Sequence, residues 1–168
     1  MTNEYFTEAI VLDKEPAGEA DSQVYLYTKE LGRVTAKVIS ARKITSKLAG
    51  HLEPLNVIQV RLVQKNRFQV VDALRISTLP RTVAMLNALR LAKDLTGEGQ
   101  ADSELWNVLS GGRATGVTVL SALGFDSQYA MCENCGNGTP SHFIYQRLEY
   151  WCSSCFSKAG RPAAFTLL

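Results

Sequence analysis

Cys132, Cys135, Cys152 and Cys155 are the residues of this 168-residue chain best suited to chemistry, and they are its only cysteines. They form two C-x-x-C pairs with sixteen residues between them, a spacing that lets two tight turns gather four thiolates around one ion. One Zn²⁺ bound by all four sulfurs is the expectation. Four thiolates close the coordination shell, so the ion is expected to be structural rather than catalytic. Two disulfides, or four reduced core cysteines, would use the same residues. The first residues, Met1-Thr2-Asn3-Glu4-Tyr5, do not read as the basic and then apolar segments of a secretion signal. A reducing cytoplasm is therefore expected, and it favours metal over disulfide. His51 is remote in sequence, and His142 lies between the pairs with no partner at ligand spacing. Neither is expected to bind the ion.

No other constellation points to catalysis. There is no G-x-x-x-x-G-K-[ST] phosphate loop, and Gly111-Gly112-Arg113 lacks the spacing and the lysine of one. A G-x-S-x-G elbow is absent, as is the His-plus-Glu pattern of zinc deaminases. Glu15, Glu19 and Asp21 have no second acidic set to complete a metal cluster and read as solvated loop residues. Binding without chemistry is the expectation, so no catalytic residue is assigned.

Charge supplies the binding argument. The formal net charge is +2, and four thiolates with a dication would bring it to zero. Its distribution is uneven. Lys29, Arg33, Lys37, Arg42, Lys43, Lys47, Arg61, Lys65 and Arg67 face only Glu30 and Glu53 between positions 29 and 67. The first 28 residues carry six carboxylates against Lys14. A fold that gathers the cations on one face would suit a phosphate backbone, although a scattered basic surface gives the same count.

The elements that must position these groups follow from periodicity. Residues 5–12, 23–28, 33–38, 57–64 and 68–76 read as five strands, with a short helical turn at 46–51. That order is expected of an OB-fold barrel over residues 1–78, and a small SH3-like barrel fits the strand count nearly as well. Helices are expected at 80–96, 103–109 and 115–123, with Asp102 as a cap and Trp106 as a core anchor. The fold class is thus α+β: a five-stranded OB barrel, then a small helical domain over 79–168 with a four-cysteine zinc finger at 130–157. On such a barrel the second and third strands commonly hold nucleic acid. Candidate contacts are Arg33, Lys37, Arg42, Lys43, Lys47, Arg61, Lys65 and Arg67, with Tyr25 and Tyr27 as candidate base-stacking residues. RNA remains open as a ligand, because phosphate contacts do not distinguish the sugars. A scaffold that binds acidic protein surfaces is the alternative from another class.

Particular motifs carry a family resemblance. Glu8-Ala9-Ile10-Val11-Leu12, Gly18-Glu19-Ala20-Asp21, Tyr27-Thr28-Lys29-Glu30-Leu31-Gly32-Arg33-Val34, Ser40-Ala41-Arg42-Lys43 and Leu52-Glu53-Pro54-Leu55 resemble the opening of RecO, the bacterial DNA-repair and recombination mediator family. Cys132-Glu133-Asn134-Cys135-Gly136 and Cys152-Ser153-Ser154-Cys155 resemble the zinc-bearing C-terminal domain of many members. The resemblance implies DNA contact by Arg33, Lys37, Arg42, Lys43 and Lys47. It also implies annealing of complementary single strands, binding of single- and double-stranded DNA, and help in loading RecA alongside RecR and single-stranded-DNA-binding protein. The expected setting is the cytoplasm, at the nucleoid. The chain departs from the family in its shortened helical segment and in Ser40, where many relatives carry glycine.

Overall fold

The computed structural model describes residues 2–167. Five strands come first: β1 (Asn3–Ala17), β2 (Asp21–Thr28), β3 (Gly32–Val38), β4 (Asn56–Gln64) and β5 (Phe68–Thr78). Alternation places Val24, Leu26, Val34, Ala36, Val38, Ile58, Val60 and Leu62 in one buried cluster. β1 serves two partners, pairing with β4 over residues 3–10 and with β2 over residues 9–17. A register shift between Val11 and Asp13 marks the handover. Past that point β1 is bonded on one side only, which is why Pro16 is tolerated inside a strand.

Ala9-Ile10-Val11-Leu12 is buried on both faces. Ala9 and Val11 look into the strand cluster, while Ile10 and Leu12 join a second cluster shared with the helices. The helices are α1 (Val83–Leu95), α2 (Ser103–Ser110) and α3 (Gly116–Ala122). Each begins on a side-chain cap, from Thr82, Asp102 and Thr115 respectively, which satisfies N–H groups that a first turn leaves open. Met85, Ala88, Leu89, Leu91 and Ala92 form the buried face of α1. Trp106 is buried in the same cluster, as expected of a core anchor. The last segment adds β6 (His142–Ile144), β7 (Glu149–Trp151), α4 (Ser153–Lys158) and β8 (Ala164–Thr166), with the three strands ordered β7-β6-β8.

The expectation of an OB barrel with a helical insertion, followed by a separate small helical domain, needs correction in three respects. The strands follow one another around a ring, β1-β2-β3-β5-β4, but the sheet is not laddered all the way round. β3 and β5 meet through only two parallel pairs, Ala36↔Phe68 and Lys37↔Gln69, and beyond Gln69 strand β5 is paired with β4 alone. A barrel bonded along the full length of every strand is not what this chain forms. Second, residues 39–55 contain no helix. They form a series of turns with one helix-like bond, from Leu52 N to Leu48 O at 3.2 Å. Third, β8 extends the hairpin between the cysteine pairs to a three-stranded sheet, and the C-terminal half is fused to the strands. Ile10, Leu12, Tyr27 and Leu55 share a core with Leu89, Leu105, Leu120, Phe143 and Tyr150.

The join between the halves is tight at one glycine. Gly32 adopts φ +68°, and a Cβ there would lie 2.0 Å from the backbone oxygen of Gln100. Gly99 N donates to Arg33 O across 3.0 Å, and the Tyr27 hydroxyl sits between the backbone N–H and carbonyl of Asp102. Lys93 of α1 adds a polar clasp to Asp13 at 2.6 Å and Glu15 at 3.1 Å. Burial opposes the lysine's charge, but the two carboxylates outweigh it and raise its pKa.

Candidate nucleic-acid face and metal centre

The expected cations do not share one face. Arg33 is half-buried beneath the 97–102 connection, pairs with Glu98 through a parallel backbone β-bridge, and leaves its Nε buried without a partner. Arg61 lies on the β4 wall between Phe6 and Asp72 in register and pairs with Glu4. The other six divide into two neighbouring groups. Lys37 and Arg67 line a cavity of about 420 Å³ at the two-pair seam, together with Gln23, Thr35, Phe68 and the acidic Glu98. Lys65 lies beside Arg67 in the β4–β5 hairpin. Arg42, Lys43 and Lys47 are exposed on the loop 39–52.

The turn 18–21 links the groups. Asp21 pairs with Lys37 at 2.6 Å and accepts from Ser40 N at 2.9 Å. Arg42 donates its backbone N–H to Ala20 O and its guanidinium to Gly18 O. Ser40 holds φ +54° at this junction, a left-handed conformation that glycine adopts without penalty. Lys43, Lys47, Lys65 and Arg67 make no ion pair among the described residues.

Asp21 therefore organises the loop. The hydrogen bond from Lys37, then that from Ser40 N–H, holds its carboxyl below the ordinary value of 3.8. A depressed folded-state value means that the stabilisation is present above the ordinary value and lost as pH falls through the folded one. Acidification below about pH 4 is expected to release Ser40 and loosen residues 40–47. Amide hydrogen exchange at Ser40, followed from pH 6 downward, checks this expectation; protection that persists unchanged to the acid limit would contradict the clasp.

Neither tyrosine stands free for base stacking. Tyr27 is fully buried under the helical half, with its hydroxyl engaged by Asp102, and this corrects its assignment. Tyr25 carries the Lys93 ammonium over its ring, 4.1 Å from the centroid, and bonds Glu15 through its hydroxyl. The aromatic ring at the cavity is instead Phe68, 5.8 Å from Tyr5. Sequence reading missed Phe68 as a site residue, although its place directly after the basic Lys65-Asn66-Arg67 turn was a usable signal.

The four cysteines do converge. Their sulfurs all lie within 4.8 Å of one another, and Cys135 and Cys152 are 3.7 Å apart. A disulfide needs about 2.05 Å, whereas a tetrahedron with Zn–S bonds of about 2.3 Å has edges of about 3.8 Å. The first pair sits on a turn completed by Gly136 at φ +73°, whose N–H reaches Cys132 O at 2.7 Å. The second pair sits at the start of α4. Burial raises the Cys132 thiol, but backbone N–H groups of Cys152, Asn134 and Cys135 prevail and bring it down to about 6. Cys135 is pushed up to about 12; a backbone contact from Asn137 opposes this, while the sulfurs of Cys132, Cys155 and Cys152 raise it. Four sulfurs this close cannot all be charged without a cation, so the donor set fits a metal. His142 stacks on Phe156 with centroids 3.8 Å apart and does not join the sulfur cluster.

The hairpin between the pairs carries the metal unit into the core. Phe143 and Tyr150 oppose each other across β6–β7 and pack with the helices, while Ile144 and Trp151 pack on the cysteines. Phe165 of β8 covers Gly116, where a Cβ would come within 2.2 Å of the ring.

The chain thus joins a five-stranded unit, through one core, to helices and to a hairpin that carries a four-sulfur cluster able to coordinate a metal. A family profile described as "Recombination protein O N terminal" matches residues 1–79. The chain is 31% identical over 155 residues to a DNA repair protein RecO of Roseiflexus sp., with 79% of this chain and 54% of the relative covered. It is 32% identical over 114 residues to the RecO of Myxococcus xanthus, covering 62% of this chain and 47% of the relative. For the RecO of Thermodesulfovibrio yellowstonii the figures are 28% over 176 residues, 91% and 70%. The chain belongs to the RecO family and spans about half the length of the first two of these relatives. Among the described residues, no helix is long and apolar enough to cross a membrane.

Proposed function

We propose that this chain binds DNA strands through the seam cavity and the loop 39–52, and that it anneals complementary strands as a recombination mediator without catalysing a bond change. The observation that carries this reading is the set of exposed cations outside any ion pair among the described residues, Arg42, Lys43, Lys47, Lys65 and Arg67, beside Lys37 at the seam, with the turn 18–21 bonding both Lys37 and Arg42. Cations without carboxylate partners can exchange solvent counter-ions for phosphates, the main source of strand affinity. Neutralising two backbones on one loop system lowers their repulsion and lets bases meet. One structural Zn²⁺ on Cys132, Cys135, Cys152 and Cys155 would hold the C-terminal lobe together.

RecR and single-stranded-DNA-binding protein are proposed partners in the cytoplasm, with RecA loaded indirectly. A cavity of about 470 Å³ between α1, α3 and β8 offers docking ground, with Val83, Val117 and Phe165 apolar and Arg90 cationic. An annealing assay tests the whole reading. Complementary strands, bare or coated with single-stranded-DNA-binding protein, should pair faster with this protein and without added nucleotide. Annealing no faster than in buffer would remove the mediator role. A strong preference for RNA strands would move the reading to an RNA-binding protein. Capture of RecR after nuclease treatment, with no strand affinity, would favour the adaptor.

A further inference from the structure

Ile44 is the most exposed large apolar side chain described, with a relative exposure of 105%, and its surroundings are unusual for such a residue. It stands at the second position of a bonded turn, with Ser46 N donating to Lys43 O at 2.9 Å. Turn positions of this kind are ordinarily polar or occupied by Gly and Pro, so a β-branched apolar residue there departs from local preference. Such departures are where function is expected. Arg42, Lys43 and Lys47 surround it in sequence and are all exposed. The loop is not slack, because Ala41 and Leu52 are buried in the strand core and Leu48 packs against it. Both ends are anchored, and the tip is presented.

We propose that Ile44 is a wedge that enters between neighbouring bases of a bound strand while Arg42, Lys43 and Lys47 hold the flanking phosphates. Apolar side chains inserted at base steps unstack them in other settings, and a strand kept partly unstacked offers its pairing edges to a complement. A single apolar residue among three cations is too little for stable lipid insertion, which needs a larger apolar face or a second anchor. The proposal rests on the strand-binding reading above and gives it a specific device.

The test uses the full chain, a single-stranded oligonucleotide containing 2-aminopurine, and the variants Ile44→Ser and Ile44→Val. 2-Aminopurine brightens when its neighbours unstack. Saturating wild-type protein should raise the fluorescence, Ile44→Val should keep most of the rise, and Ile44→Ser should abolish it. Ile44→Ser should bind only about threefold to tenfold more weakly, with an unchanged salt dependence. Salt-dependent binding without a fluorescence rise, or a full rise with Ile44→Ser, overturns the wedge and leaves the strand-binding reading standing. Absence of salt-dependent binding by the wild type overturns both. Ile44-dependent capture by phosphatidylglycerol vesicles, without base unstacking, would assign the residue to lipid and overturn the proposal.

Discussion

Exchanging Cys152 for serine is expected to abolish metal binding and unfold residues 130–167. A structural zinc site supplies about 10–16 kcal/mol of apparent folding free energy, comparable to or above the roughly 5–15 kcal/mol of a whole domain. The damage should not stop at the metal lobe. Phe143 is fully buried and Tyr150 nearly so, in the cluster that also holds Ile10, Leu12 and Tyr27. Removing one buried Phe side chain costs about 3–5 kcal/mol, so withdrawing the hairpin should lower the stability of the strand half as well. Metal analysis should fall from one zinc per chain to none. Trp151 fluorescence should report the loss of the metal lobe, and Trp106, in the core that the helices share with Ile10, Leu12 and Tyr27, should report its unfolding at lower denaturant. Full zinc retention, or a strand half of unchanged stability, would break the link between the sulfur centre and the shared core.

Gly32→Ala is expected to have the second largest effect. The new methyl group would meet the backbone of Gln100 and Ala101 at 2.0 to 2.6 Å, at a position with φ +68°. Left-handed backbone costs about 1–2 kcal/mol for a residue with a Cβ, and overpacking adds about 1–3 kcal/mol. Loss of about 2–5 kcal/mol should lower the melting temperature by roughly 5–20 °C. Zinc content should stay at one per chain, because the sulfur centre lies elsewhere. Relief would come by lifting the 97–102 connection, which breaks the Gly99–Arg33 bond and exposes Tyr27. Near-native melting would show that the two halves are not docked through this glycine.

Several elements were legible because their signals are local. Alternation in β2, β3 and β4 depends only on which side faces the strand cluster, and Asp102 caps α2 through a bond to an N–H three residues away. The sulfur centre was legible because two tight turns fix two sulfurs each. What escaped depends on partners distant in sequence. Tyr27 lies on the outward face of β2, and nothing in β2 itself says that α2 and its preceding connection will cover that face. The doubly buried run Ala9-Ile10-Val11-Leu12 held that information, since a half-exposed strand would alternate there. The cation count was correct as a count, but Glu4, Glu8 and Asp21 each occupy one of its members. β8 is only three residues long and follows a turn, too short for its periodicity to register.

Phosphate contacts from the seam and the loop are proposed to hold the strands, and salt dependence tests them most directly. Five exposed cations outside any ion pair, Arg42, Lys43, Lys47, Lys65 and Arg67, would give a log–log slope of about −3 to −4 for single-stranded DNA. Replacing Lys43, Lys47, Lys65 and Arg67 together by Ala should reduce that slope by about 3 units and weaken binding uniformly across sequences, while zinc content and melting temperature stay near wild type. A wild-type slope near zero, or a fourfold variant that binds with the original slope, would contradict the account.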